Sequence, residues 1–282
     1  MIVAFDFGIT NTDIILKDDE IKYFTTPSLF NIEEQNFTPS NHDVMRMLES
    51  FNINLEEIDT IGVTGGKSAD LPDTINNIPV IKVNEIEAIG KGARSLYDLD
   101  KGSALVVSAG TGTACVHLNE GIASYLGGIS VGGGMLEGLS NLILKNQNGR
   151  EINALAKNGN RKSLDLMIGD VVNEIGNLNA EITAANFAKA RLNSSGDPED
   201  ISAAMCNMVG EVIGTVAYLN ALLIGSDKAY FLGRTSLLSE VKKGIDARLT
   251  LAGVTGIYDD NRGLGNAIGV LASLESSSIT KF

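Results

Sequence analysis

The hydrophobic and polar positions of this chain trace the same pattern twice. Residues 104–139 open on an apolar run, Ala104 to Val107, and break at Gly110-Thr111-Gly112-Thr113. They resume as the alternating Cys115-Val116-His117-Leu118 and turn at Asn119-Glu120-Gly121. This pattern predicts a strand, a polar loop, a second strand, a turn and a third strand. The N-terminus repeats the order: Ile2-Val3-Ala4-Phe5, a loop from Asp6 through Gly8 and Thr10 to Thr12, then Ile14-Ile15-Leu16. A turn at Asp18-Asp19-Glu20 leads into Ile21 to Phe24. Gly110 and Gly112 let the backbone come close to a ligand, and Thr111 and Thr113 offer hydroxyls, so such a loop can cradle a phosphate. The first copy has a carboxylate, Asp6, where the second has Ser108 or Ala109. That contrast suits a duplicated nucleotide-binding unit in which one half holds a metal-bound water and the other holds phosphate. Either loop alone reads equally well as an ordinary hairpin; the pair points to phosphate. A further glycine run, Gly132-Gly133-Gly134, enters the apolar-periodic MLEGLSNLILK and predicts a helix whose free N–H groups face an anion.

The remaining pattern fills in around these loops. A helix is expected near Asp43 to Phe51, and a strand from Ile58 to Val63 ending in Thr64-Gly65-Gly66-Lys67-Ser68. The GGKS tetrapeptide imitates the end of a P-loop, but position 61 is Ile where that motif needs glycine, so a plain strand-to-helix turn is the better reading. Ile78 to Val83 reads as a strand. Asn84 then caps a helix through Leu96 and sets Glu85 in its first turn. The helix dipole alone accounts for a carboxylate there; the competing reading is a general base at the mouth of a cleft. Leu155 to Gly176 reads as helical with breaks, and Ala180 to Ala188 as the start of another helix. A long helix from about Asp200 to Ile224 carries small residues at Ala203, Ala204, Gly210 and Gly214 that permit close packing. Within it, Glu211 is either a paired core carboxylate or a substrate contact. Ala229 to Leu232 is a strand ending at Gly233, followed by a helix and a strand near Val254 to Tyr258. The last glycine loop, Arg262 to Gly269, lacks dinucleotide-fingerprint spacing and fits a nucleoside pocket closing a second domain.

Composition narrows the function classes. A chain of 282 residues, 44% hydrophobic, has room for two cored domains. Its net charge of −13 argues against nucleic acid and anionic membranes as partners, so a phosphate ligand has to be held by backbone, metal and a few side chains. Cys115 and Cys206, without C-x-x-C spacing, read as buried thiols, and two histidines, His42 and His117, do not make a zinc site or a His-based triad. No signal-like N-terminus is visible, and the uncharged stretch Val212 to Ser226 is shorter than the roughly 20 residues that cross a bilayer. The expectation is a cytoplasmic protein without membrane contact.

The motifs DFGITNT, TGGKS, NEIEAIGKG, SAGTGTA, LGGISVGGGMLEGL, ITAANFA, MVGEVIGTVA, YFLGRTSLL and GLGNAIGVL stand in this order over about residues 1–271. In order and spacing the chain resembles the type II pantothenate kinases, of the superfamily of actin, heat-shock chaperones and sugar kinases. The resemblance implies an α/β fold of duplicated ribonuclease-H-like (actin-like ATPase) domains, with mixed sheets flanked by helices and ATP in the interdomain cleft. The expected subdomains are 1–101 and 102–282, the second carrying a long helix on which a homodimer is built. By position Glu85 matches the catalytic base, although Glu87 is also a candidate. Asp6 matches the acid that positions Mg²⁺ through water. Gly8, Thr10 and the run Gly110, Thr111, Gly112 and Thr113 match the phosphate loops. Gly132, Gly133 and Gly134 match the glycine-rich helix start, and Gly233 and Tyr258 fall near the nucleoside pocket. Tyr125, Gly127 and Gly128 align with the substrate-contacting segment.

Two departures stand out. Tyr125 replaces an arginine before the paired glycines, and Asp13 replaces a lysine after the first loop's threonine. Arg94, Lys67, Lys91 and Arg234 are candidate replacements for the lost charge. The resemblance implies ATP-dependent phosphorylation of the primary hydroxyl of pantothenate. The alternatives are a kinase for another small hydroxyl compound and a catalytically silent nucleotide-binding regulator.

Overall fold

The computed structural model describes residues 1–29, 38–99, 102–146, 148–172, 180–192 and 196–279. The chain runs through β1 (Ile2–Phe7), β2 (Asn11–Lys17), β3 (Ile21–Pro27), α1 (Asn41–Ser50), β4 (Thr60–Thr64), β5 (Thr74–Ile75), β6 (Ile78–Lys82) and α2 (Glu85–Tyr97). Next come β7 (Ser103–Ala109), β8 (Thr113–Asn119), β9 (Ile122–Ile129), α3 (Gly133–Leu144), α4 (Gly149–Ala156), β10 (Leu166–Met167), α5 (Ile168–Val171) and β11 (Thr183–Ala185). The last elements are α6 (Pro198–Leu223), β12 (Lys228–Leu232), α7 (Ser239–Leu251), β13 (Thr255–Tyr258) and α8 (Gly265–Ile279).

The duplication read in the sequence is present in the sheets. One sheet has the order β3-β2-β1-β4-β6-β5 and the other β13-β12-β7-β8-β9. In both, the three strands of the repeat lie side by side, and the first of them neighbours a strand from later in the chain. Within the first sheet β1 pairs antiparallel with β2 and parallel with β4. The chain divides into two compact units. One comprises residues 1–106, 116–125 and 259–282; the other comprises 107–115 and 126–258. The expected cut after residue 101 lies close to the end of the first segment, but the first unit also takes back the residues of α8.

In the first unit the sheet is covered on both faces. Val3, Phe5, Ile14 and Leu16 meet Val44 and Leu48 of α1 on one face, while Ala4 and Ile15 meet Ala88 of α2 and Val270 of α8 on the other. The second face is packed tightly enough to require glycine. A Cβ on Gly92 would lie 1.9 Å from the Gly265 carbonyl oxygen, and one on Gly269 would lie 1.8 Å from that of Ala88. Helices α2 and α8 therefore touch backbone to backbone. Ser40 caps α1 in a reciprocal box with Asp43, and Asn84 caps α2 by accepting from the amides of Ile86 and Glu87, as its position suggested.

In the second unit α6 is the core helix. Gly210 and Gly214 press on α7, where a Cβ would approach the Val241 and Ile245 carbonyl oxygens to 2.2 and 2.6 Å, so the small-residue stripe does what its spacing predicted. With 26 residues and a mean hydropathy of 1.3 over its most apolar window, α6 is long and apolar enough to pass for a membrane span. In this unit it packs against α7 and α4, and Glu211 at its centre is paired with Arg248 at 3.2 Å and hydrogen-bonded by Asn186 at 3.0 Å. The paired-core reading of Glu211 is thus the observed one.

Two helix expectations are corrected. The broken helix expected over 155–176 is not found in its described part, 155–172: α4 ends at Ala156, and β10 and the single-turn α5 follow; 173–179 lie outside the described residues. Residues 180–188 hold β11, paired antiparallel with β10, rather than a helix start. A buried polar network outweighs local helix preference here. Arg161 donates to Thr183 at 2.7 Å, Asn207 reaches both Thr183 and Asp165, and the fully buried Asp165 accepts the Phe187 amide at 2.9 Å. That last bond holds Phe187 at φ +56°, a left-handed conformation no helix tolerates. Burial pushes the Asp165 carboxyl above its ordinary range, against the Phe187 amide and Arg161, which pull it down.

Candidate active site

Each unit carries its own half of the expected chemistry. In the first unit, Asp6 lies near the end of β1, opposite Asp13 of β2 and beside Thr64 of β4, while Asp13 in turn lies opposite Thr25 of β3. Cross-strand partners share a face, so Thr64, Asp6, Asp13 and Thr25 form one row of oxygen-bearing side chains on the α2 and α8 side of the sheet. Asp13 is therefore a strand residue rather than a loop residue: only 5% exposed, its Oδ1 accepts from the Thr25 hydroxyl at 2.7 Å. Asp6 rests on the Gly65-Gly66 turn, where a Cβ on Gly65 (φ +75°) would lie 2.6 Å from Asp6 Oδ1. The apparent P-loop remnant is in fact the floor beneath Asp6, and only a three-residue 3-10 turn follows it. Ser28, which sequence reading did not single out, holds the first loop at both ends. Its hydroxyl donates to the Gly8 carbonyl at 2.8 Å and its amide to that of Thr10 at 3.0 Å.

Glu85 is the first residue of α2, directly after the capping Asn84. Its side chain is exposed and, among the described residues, makes no hydrogen bond or ion pair. Glu87 is instead tied to Lys91, one turn on, at 2.7 Å. Of the two candidate bases, then, only Glu85 has its carboxylate unengaged. The same pairing commits Lys91, while the Arg94 guanidinium lies over Gly121. Lys67 is exposed at the 65–68 turn.

In the second unit the glycine/hydroxyl loop locks onto the start of α3. The amides of Gly133 and Gly134 donate to the carbonyls of Gly110 at 2.9 Å and Thr111 at 3.0 Å. This corrects the expectation that these amides are free for an anion. A Cβ on Gly132 would stand 2.6, 2.7 and 3.0 Å from the carbonyl oxygens of Gly110, Thr111 and Gly112, so glycine is needed for the fit. The Thr113 hydroxyl is also engaged, donating to the Val131 carbonyl at 2.8 Å. Buried Thr235, another residue sequence reading passed over, donates to the Gly110 carbonyl at 2.6 Å and plays the part Ser28 plays in the first loop. No charged side chain belongs to residues 104–118.

Gly233 (φ +86°) ends β12 against β7, where a Cβ would meet the Ala109 carbonyl oxygen at 2.3 Å; Arg234 begins the turn that follows. Tyr258 is built into the end of β13. Its ring stacks on Phe231 at 4.9 Å, Lys242 sits 4.2 Å from the ring centroid, and its hydroxyl donates to Asp246 at 2.7 Å. Tyr125, Gly127 and Gly128 all lie on β9, with Tyr125 58% exposed and Gly127 at φ +139°.

The donor set suits one hard cation. Carboxylate and hydroxyl oxygens in the Asp6 row match Mg²⁺ chemistry. Among the described residues no three acidic, histidine or cysteine side chains cluster as a metal cage. Such an ion would keep water and phosphate in most of its coordination shell, as Mg²⁺ does.

Comparison with known proteins agrees with this arrangement. The Fumble family model matches residues 103–240. A type II pantothenate kinase of Oceanobacillus iheyensis is 30% identical over 217 residues, covering 75% of this chain and 80% of that protein. One from Staphylococcus epidermidis is 28% identical over 282 residues, 96% of this chain and 99% of that protein. Among solved structures, the activator of the 2-hydroxyisocaproyl-CoA dehydratase from Clostridium difficile, with bound ADPNP, superposes with a TM-score of 0.66 at 14% identity over 99% of this chain and 96% of that one. A ROK family glucokinase from Streptomyces griseus, in complex with glucose and AMPPNP, gives 0.56 at 11% identity over 96% and 98%. Those likenesses show the duplicated actin-like ATPase fold, and the sequence relatives show that the chain belongs to the type II pantothenate kinase family.

Proposed function

We propose that this protein is an ATP-dependent kinase that transfers the γ-phosphoryl group to the primary hydroxyl of pantothenate, the first step toward coenzyme A. The observation that carries this reading is Glu85: an unengaged carboxylate at a capped helix start, in the unit that also holds Asp6. Phosphoryl transfer asks mostly for positioning and charge neutralisation, so one base, one metal and backbone donors suffice. Glu85 takes the proton from the acceptor hydroxyl as its oxygen bonds to the γ-phosphorus and the bond to the ADP oxygen breaks. Asp6 would hold Mg²⁺, which when bound would neutralise charge on the phosphates. Gly8 and Thr10 form the first phosphate loop, steadied by Ser28. The Gly110–Thr113 loop forms the second, with Gly132, Gly133 and Gly134 as its support. Gly233 and Tyr258 shape the nucleoside end, and Tyr125, Gly127 and Gly128 the acceptor end. The protein works in the cytoplasm as a homodimer built on α6, whose Leu219, Leu222 and Leu223 are exposed. The test is ADP release from Mg·ATP that depends on pantothenate and is lost in Glu85→Gln while nucleotide binding is retained. ATP binding without turnover of any hydroxyl acceptor would mark a silent regulator instead.

A further inference from the structure

Asp13 is the buried acid that the proposed chemistry does not use. It is only 5% exposed, and its partner across the β1–β2 hairpin is a second carboxylate, that of the half-buried Asp6. Two carboxylates directly opposite on neighbouring strands repel, and burial leaves less water to screen them. Both are nevertheless built in firmly. The Thr25 hydroxyl donates to Asp13 Oδ1 at 2.7 Å, and Asp6 Oδ1 rests on the Gly65 turn, 2.6 Å from where a Cβ would stand. Beyond Asp6 in the same row, the fully buried Thr64 donates its hydroxyl to the Val83 carbonyl at 2.9 Å. Hydroxyls thus fix the row at both ends, and its centre is a facing pair of acids.

We propose that Asp13 is a second carboxylate holder of the divalent cation read at Asp6, so that this protein loads its ion before the nucleotide arrives. This deepens the kinase reading above and rests on its Mg²⁺ site. Mg²⁺ takes one or two carboxylates and keeps water in its other positions, and a hard cation shared by Asp6 and Asp13 turns their repulsion into attraction. A single carboxylate holds such an ion weakly until phosphate oxygens join it; a second removes that dependence. The local charge agrees. A carboxylate at position 13, where the resembling kinases carry lysine, lowers the charge by the amount that one divalent cation supplies.

The test is Mn²⁺ binding to the full-length protein without nucleotide, read from the electron paramagnetic resonance signal of the free ion, with Mg²⁺ as competitor. The wild type binds a single Mn²⁺ that Mg²⁺ displaces. Asp13→Asn weakens this binding by about tenfold or more, and Asp13→Lys abolishes it. Thr25→Val, which removes the hydroxyl that orients the carboxylate, weakens it about threefold. Asp19→Asn removes an exposed acid of the β2–β3 turn and leaves binding unchanged, which separates a built site from the general attraction of an acidic protein for cations. Mg²⁺ also raises the melting temperature of the nucleotide-free wild type but not that of Asp13→Asn. No Mn²⁺ binding by the nucleotide-free wild type, or Asp13→Asn binding like wild type, overturns the proposal and leaves the kinase reading, which needs only an ion delivered with ATP. Asp13-dependent Mn²⁺ binding by a protein that turns over no acceptor supports the cation site and overturns the kinase reading instead.

Discussion

The two glycine/hydroxyl loops share a frame and differ in nearly everything the frame holds. The loop between β1 and β2 is acidic and open: Asp6 and Asp13 face each other across the hairpin, and Ile9 and Thr10 are exposed. The loop between β7 and β8 is uncharged and interlocked, its carbonyls taken by the amides of Gly133 and Gly134 and by Thr235. Each is steadied by one hydroxyl from elsewhere in its own unit, Ser28 or Thr235. The lesson is that both hairpins keep the same frame and one hydroxyl anchor, while their side chains divide into an acidic half and an uncharged half, which the proposed function assigns to cation and proton and to phosphate.

The largest effect tests the acid half. Glu85→Gln should lower kcat by about 10²- to 10⁴-fold and leave ATP binding intact, since only the proton acceptor is removed. A full-strength Glu85→Gln enzyme would dissolve the contrast between halves.

The neutral half should show its character in alkali. Burial pushes the Cys115 thiol of β8 from about 9 up to about 11. The unfolded chain therefore loses this proton first as pH rises, and stability present below pH 9 declines by about 1.4 kcal/mol per pH unit until the folded thiol ionises. Cys206 of α6, pushed up to about 12 by burial first and then by Glu240, adds a parallel loss. Denaturant melts from pH 8 to 11 should show the decline, and Cys115→Ala should remove its own share of the slope.

Gly132→Ala places a methyl among three carbonyl oxygens and should cost about 2 kcal/mol of stability, with weakened nucleotide binding as the loop shifts. The smallest effects sharpen the comparison of anchors. Ser28→Ala and Thr235→Val should each cost about 1 kcal/mol by denaturant titration. Thr235→Val should be the worse of the two for stability, because Thr235 is buried while Ser28 is only partly so.

Much of this was legible in the sequence because it is local. Alternation and glycine position gave the hairpins, Asn84 announced the cap of α2, and small-residue spacing announced the α6–α7 contact. The choice between Glu85 and Glu87 was also legible in principle, since Glu87 and Lys91 stand four apart on a helix and such pairs engage. What stayed hidden depends on partners distant in the chain. The amides of Gly133 and Gly134 look free until the 110–111 carbonyls are seen against them. Asp13 looks like a loop residue until its register opposite Asp6 and Thr25 is known. Residues 180–188 look helical until Asp165 is found holding Phe187 in a left-handed turn.

The most direct test of the division between halves is single-turnover phosphoryl transfer from Mg·ATP to pantothenate by wild type, Glu85→Gln and Glu87→Gln. The account predicts that Glu85→Gln loses the chemical step by at least about a hundredfold, while Glu87→Gln, which removes only a surface ion pair, stays within a few-fold of wild type. Equal losses in both, or a loss confined to Glu87→Gln, would contradict it.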